Sequence, residues 1–258
     1  MDGVNKTLFI PLYGKALVSR RGLILHDPKA EEIWNSAGFS LRGKAASKWL
    51  AYYMGMRSAV FDRWVSAQAA AAPDACILHL GCGLDSRCLR VETGADWYDV
   101  DFQEVIALRR QYFAEAGNYH MTPSDIRDEN WLAEIPHGEA IVVMEGISMY
   151  LRPEELAQVL GNLTAHFESV HLLLDCYTEF AARVSRYKNP INTVGVTEVF
   201  GLNNPQALES TGLDFLQEIP MTPVDLISQL APMEQRIFRK LYAGKFASRL
   251  YRMYEYKS

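Results

Sequence analysis

The sequence predicts an α/β protein, a mostly parallel sheet with helices on both faces behind a helical N-terminal segment. Three observations carry that expectation. Residues 1–72 show no convincing strand alternation and end where the Ala-rich stretch SAQAAAAPDA meets Pro73. From Cys76 onward, short apolar runs recur between helical stretches, the pattern of parallel strands joined by crossover helices. The stretch ILHLGCGLDSR, residues 77–87, puts two glycines straight after an apolar run and a helix-competent segment after them. Such strand-to-helix turns are where α/β proteins hold nucleotide-like ligands.

Five runs read as strands: CILHL (76–80), WYDV (97–100), YHMTP (119–123), AIVVME (140–145) and VHLLLD (170–175). DFQEVIALRRQYF opens with Asp101 and carries Glu104 three residues later, a capping-box arrangement, with Val105, Ile106, Leu108 and Tyr112 at near-helical spacing. RPEELAQVLGNLTAHF places Pro153 in a first turn and Leu156, Val159, Leu160 and Leu163 on one face. The irregular stretch at about 177–205 is too long for a simple connection and is expected to be a lid or substrate loop. Two late strands, in GLDFLQEIPM and SRLYRMYEY, flank a helix expected from about Pro223 to Tyr242. Residues 1–258 read as one domain, a helical cap over 1–72 and a core over 73–258.

A composition of 49% hydrophobic and 22% charged residues places the chain with ordinary globular proteins, and a net charge of -5 gives no sign of a nucleic-acid partner. Cys76, Cys82, Cys88 and Cys176 form no CxxC pair and no cluster at metal-ligand spacing, so buried reduced thiols and no metal are expected. The N-terminus lacks a signal-peptide pattern, and no apolar run approaches the roughly 20 residues of a membrane span. A soluble, cytoplasmic protein is the expectation.

Gly81 and Gly83 allow backbone N–H groups to approach a ligand closely, although a tight connection without ligand would use the same residues. Asp101, 20 residues after Gly81 at the end of the second strand, is placed to accept hydrogen bonds from two ribose hydroxyls, or to cap the following helix. Asp99 is the weaker candidate on that strand. Asp125 and Glu145 fall at or near the ends of later strands and are expected to converge with Asp101 on one crevice, within reach of an adenine amino group or a ligand ammonium. Arg57 lies inside the apolar arc of Trp49, Tyr53, Val60 and Trp64. A buried Arg needs an anionic partner, either an internal acid or a ligand carboxylate. No third dinucleotide-type glycine follows, since Ser86 stands there, and no phosphate loop, nucleophile elbow or HExxH helix occurs. His79 is the histidine that adjoins the glycine turn.

Taken together, LGCGLDSRCLR, WYDVDFQEVIALRR, SDIRDENW and EGISMYLRPEE resemble the successive motifs of the leucine carboxyl methyltransferase family. The likeness is strongest to its bacterial branch of polyketide-pathway O-methyltransferases of the tetracenomycin type, which TLFIPLYGKAL, DPKAEEI and LYRMYEY also fit. The resemblance implies a Rossmann-like class I methyltransferase with a seven-stranded sheet ending in two antiparallel strands, a helical cap, and S-adenosylmethionine as cofactor. It implies that Lys15 and Arg57 hold the methionine carboxylate, that Gly81, Gly83 and Asp85 shape the turn, and that Asp101 binds the ribose. Asp125 would lie near adenine, Glu145 by the cofactor, and Tyr150 and Tyr13 toward the substrate. Lys15 stands where that branch more usually has Arg, which keeps the charge but not bidentate geometry.

The expected reaction is in-line transfer of a sulfonium methyl to an oxygen of a small polyketide-like molecule. An ionised carboxylate needs no general base; a phenol, with a reference pKa near 10, would benefit from one, and His79 is then the first suspect. Arg183, Arg186 and Lys188 either attract an anionic acceptor or form a solvated helix face. Two other classes stay open: an NAD(P)-dependent oxidoreductase, which leaves Arg57 and Glu145 unexplained, and a noncatalytic S-adenosylmethionine-binding pathway partner.

Overall fold

The computed structural model describes residues 7–36, 38–188, 198–244 and 247–258, organised on one seven-stranded sheet. Strands β1 (Cys76–Leu80), β2 (Trp97–Asp101), β3 (Tyr119–Pro123), β4 (Glu139–Met144), β5 (Ser169–Tyr177), β6 (Asp214–Glu218) and β7 (Tyr251–Lys257) lie in the order β3-β2-β1-β4-β5-β7-β6. The first five are parallel, and β7 runs antiparallel to both β5 and β6. Strand order reverses between β1 and β4, so a crevice opens at their carboxyl ends.

Helices α1 (Phe9–Arg20), α2 (Pro28–Ser36) and α3 (Lys48–Ala71) form the N-terminal cap. Ser47 starts α3 by accepting from the Trp49 amide at 3.3 Å, and the helix stops at Ala71, ahead of Pro73. Its Met56, Phe61 and Val65 pack on Ile77, Ile141 and Leu173 across one face of the sheet. The other face is covered by α6, which follows the short helices α4 (Arg87–Arg90) and α5 (Gln103–Arg109) and spans Pro153–His166. Pro153 occupies its first position, and the Arg152 amide donates to Glu155 at 2.8 Å. Its Leu156, Val159, Leu160 and Leu163 meet Leu78, Val142 and Leu172, each buried side chain contributing about 1.5–3 kcal/mol. Helices α1 and α2 pack Leu12, Ala16 and Ile33 onto Cys82 and Leu84, directly over the glycine turn. Among the described residues no helix is long and apolar enough to cross a membrane.

Three expectations need correction. The late helix is two, α8 (Val224–Ser228) and α9 (Pro232–Tyr242), with α7 (Glu179–Lys188) preceding them. Pro232 has no amide to continue α8, and Ala231 before it is extended, at ψ 147°. The capping box of Asp101 and Glu104 does not form: Phe102 is the N-cap without a side-chain bond, and α5 ends at Arg109, before Tyr112. The region from 177, expected to be irregular, is partly helical. It begins in β5, continues as α7, and returns with the Leu202 amide donating to the Tyr177 carbonyl at 2.8 Å; residues 189–197 lie outside the described ones, as do the Arg186 and Lys188 side chains.

Candidate active site

The turn after β1 is built from positive φ at Gly81 (67°) and Gly83 (52°), the left-handed region that costs other residues energy. A Cβ on Gly81 would lie 2.2 Å from Ile147 Cγ2, so the chain after β4 closes down on this glycine. Asp101 ends β2 beside it. Its Oδ2 accepts from the Gly83 amide and its Oδ1 from the Phe102 amide, both at 2.8 Å. Burial pushes this carboxyl above its ordinary range, against the pull of the two amides.

Beneath the turn lies a cluster of buried charges. Asp85 pairs with Lys15 Nζ at 2.9 Å, Arg90 Nη1 at 3.0 Å and Arg87 Nη2 at 3.4 Å. Burial alone would raise its carboxyl, but Arg87, Lys15 and Arg90 hold it well below the usual carboxylate range. Arg87, fully buried, also donates to Asp62 at 2.6 Å, to Ser58 at 3.1 Å and to Glu145. Ser86 donates to Asp27 at 2.5 Å, and Asp27 accepts from Arg90 and from the Ala30 amide in the first turn of α2. The DSR triplet thus bolts the cap helices to the sheet edge.

Glu145 follows β4 and accepts from Arg57 Nε at 3.0 Å; burial opposes its charge, while Arg87 and Arg57 lower its pKa. Arg57 Nη1 reaches Asp175 at 3.1 Å and the Tyr251 hydroxyl at 3.0 Å, whereas Nη2 makes no hydrogen bond among the described residues. Gly146 has φ 75°, and a Cβ there would sit 3.1 Å from the same guanidinium, so the glycine after Glu145 makes room for Arg57.

Part of this network lines a cavity of about 470 Å³, within the ~300–1,000 Å³ of ordinary ligand pockets. Its charged end carries Lys15, Arg57, Gly81, Gly83, Asp85, Asp101, Asp125 and Glu145. Its other end is apolar and aromatic, with Tyr53, Tyr150, Tyr177, Tyr242 and Tyr251. The Tyr177 and Tyr251 rings stand 5.0 Å apart, and Tyr53 lies 5.7 Å from Tyr242 and 6.3 Å from Tyr251.

The sequence profile described as leucine carboxyl methyltransferase matches residues 4–164. The chain belongs to the leucine carboxyl methyltransferase family. The transferase is 31% identical over 98% of its length, and 97% of the relative's, to the tetracenomycin polyketide synthesis O-methyltransferase TcmP of Streptomyces glaucescens. It is 32% identical over 53% of the chain, and 51% of the relative, to the S-adenosyl-L-methionine-dependent methyltransferase dpfgK of Gibberella zeae. Its fold is shared with a duf574 family protein from Streptomyces avermitilis (TM-score 0.57, 13% identity, 81% of this chain and 84% of that one). Magnesium protoporphyrin IX methyltransferase (ChlM) from Synechocystis PCC 6803 with bound SAH is similar too (TM-score 0.50, 13% identity, 89% and 93%). The protein is an S-adenosylmethionine-dependent O-methyltransferase, and the oxidoreductase alternative finds no support.

Of the expected site residues, the transferase does not bring Tyr13 to the cavity. Tyr13 points to the other side of α1, donating to the Ala46 carbonyl at 3.3 Å with its ring 5.0 Å from Trp34. Asp125 lines the cavity but is clasped by Arg127, which lowers its pKa. His79 is not a free base: Arg87 can only donate, so Nε2 accepts from it at 3.3 Å and Nδ1–H donates to Asp99 at 3.1 Å. Asp99 is a buried partner of Arg109, Trp97 and Tyr119. Tyr53, Tyr177, Tyr242, Tyr251 and Asp175 were not expected in the site. Tyr53 had a legible signal, one helical turn before Arg57 on the same face.

Proposed function

We propose that the chain transfers a methyl group from S-adenosylmethionine to a carboxylate or hydroxyl oxygen of a small, planar, polyketide-like acceptor. The observation that carries this is the division of one cavity into a charged end at the glycine turn and a tyrosine-lined end between α3, β5 and β7. Flat aromatic walls fit a planar ring system, and the relative that spans nearly the whole chain is named for tetracenomycin polyketide synthesis. We infer further that cap and core act as one domain, since the charged cluster crosses the seam between them.

The residues present fit the cofactor. Gly81 and Gly83 hold the turn in the left-handed conformation at the cavity wall, and Asp101 keeps lone pairs for ribose hydroxyls after binding two amides. Arg57 Nη2 and Lys15 would meet the methionine carboxylate, and Asp125 would lie toward the adenine amino group. Asp85 and Glu145 hold those cations in place. Lys15, Arg57, Arg87 and Arg90 face Asp27, Asp62, Asp85, Glu145 and Asp175, one carboxylate in excess, which favours a ligand carrying net positive charge. When bound, the cofactor supplies a methyl already activated by its sulfonium charge. The protein then has to align the acceptor oxygen and exclude water, the work of the tyrosine wall.

The test is incubation with S-adenosylmethionine and a panel of aromatic acids and phenols, with methylated product read by mass spectrometry. Absence of turnover with tight cofactor binding would favour a noncatalytic pathway partner. Asp101→Ala is expected to weaken S-adenosylhomocysteine binding at least ~10-fold, about 1.4 kcal/mol, with the fold retained. Unchanged affinity by calorimetry would remove Asp101 from the site.

A further inference from the structure

We propose that Tyr251 and Asp175 form a proton relay at the acceptor end, giving the site a base-assisted activity on phenolic hydroxyls. The inference rests on the methyl-transfer reading above. Tyr251 lines the cavity; Asp175 does not, being fully buried behind it. The antiparallel pairing of β7 with β5 sets Tyr251 opposite Tyr177, two residues along from Asp175 on the same face. The Tyr251 hydroxyl donates to Asp175 Oδ2 at 2.7 Å and accepts from Arg57 Nη1 at 3.0 Å. One lone pair on that oxygen is left to take a hydrogen bond from an acceptor hydroxyl.

In the relay, the new bond joins the acceptor oxygen to the methyl carbon as the carbon–sulfur bond breaks. The acceptor's proton passes to the Tyr251 oxygen, and the Tyr251 proton passes to Asp175. Charge balances, because the sulfonium is neutralised while Asp175 becomes a carboxylic acid. Asp175 is suited to the receiving end. Burial raises its pKa, and Glu145 adds to the rise against the Arg57 guanidinium and the Gly146 amide. Burial also raises the Tyr251 hydroxyl well above its ordinary range, so Tyr251 passes a proton on and does not serve as a standing phenolate. His79, the other candidate base, has both ring nitrogens engaged.

The experiment compares a phenol of pKa near 10 with an aromatic carboxylate at pH 7, in wild type and Tyr251→Phe, with S-adenosylhomocysteine affinity measured on the same samples. A phenol of that pKa is only about 0.1% ionised at pH 7, so a base at the acceptor oxygen can raise its turnover far more than that of a carboxylate. The expected result is a fall of at least ~100-fold in kcat for the phenol, the scale of general-base catalysis, and a fall at least ~10-fold smaller for the carboxylate, with any change in cofactor affinity through Arg57 read separately by calorimetry. Asp175→Glu, which keeps an acid behind the hydroxyl, is expected to retain phenol turnover better than Asp175→Asn. Equal loss on both acceptors, no loss on the phenol, or no wild-type phenol turnover alongside carboxylate turnover would overturn the relay. Loss of cofactor binding by the wild type would instead overturn the methyl-transfer reading.

Discussion

Replacing Arg57 with methionine is expected to destabilise the protein by about 3–5 kcal/mol, the usual result of leaving buried acids without their cation. At roughly 2–4 °C per kcal/mol for a chain near this size, the melting temperature should fall by about 6–20 °C. Methionine fills much of the volume but offers no donor, so Asp175 loses its guanidinium contact and Glu145 keeps only Arg87. Binding should suffer as well, because Nη2 is the group proposed to meet the ligand carboxylate. S-adenosylhomocysteine affinity is expected to fall at least ~30-fold, about 2 kcal/mol, within the range of charge-assisted hydrogen bonds. Differential scanning fluorimetry and calorimetry separate the two effects. A normal melting temperature with lost binding would show that Arg57 is not needed by the acids around it; the reverse would make it purely structural.

The second large effect is expected at Gly81→Ala. A left-handed alanine costs roughly 1–2 kcal/mol, and overpacking adds typically 1–3 kcal/mol, because the new methyl would overlap Ile147. The combined loss is about 2–5 kcal/mol in stability, with cofactor binding weakened at least ~10-fold as the turn shifts. Pairing it with Ile147→Ala divides the two causes: the double variant should regain the overpacking part and keep the backbone part. A Gly81→Ala protein with wild-type stability and affinity would mean that neither the dihedral nor the close approach matters.

Much of the architecture was legible because its signals are local. Apolar runs bounded by turn residues gave the first five strands to within two residues and the last two as parts of longer stretches, and Pro73 and Pro153 marked the helix boundaries where the missing amide requires them. The charged end of the cavity was legible for a related reason: in a parallel sheet, residues at strand ends must share one edge, so Gly81, Asp101, Asp125 and Glu145 are gathered by topology alone. What stayed hidden depends on contacts distant in sequence. Tyr251 reaches Asp175 only because β7 turns antiparallel against β5; strand alternation separates Tyr251 from Tyr254 and Tyr256, but nothing in YRMYEY says which of the two faces meets the cavity. His79 sits beside the glycine turn in sequence, yet its ring is taken by Asp99 and Arg87 from two different elements. Tyr13 shares α1 with Lys15 but stands two residues away, a spacing that puts the two side chains on different faces of the helix.

The most direct test of the central assignment is isothermal titration of the purified protein with S-adenosylhomocysteine, with NAD and NADP run in parallel on wild type and Asp101→Ala. The expected result is micromolar binding of S-adenosylhomocysteine alone, weakened at least ~10-fold in the variant, about 1.4 kcal/mol. Binding of a nicotinamide cofactor without S-adenosylhomocysteine, or S-adenosylhomocysteine binding indifferent to Asp101, would contradict the placement of the methyl donor at the glycine turn.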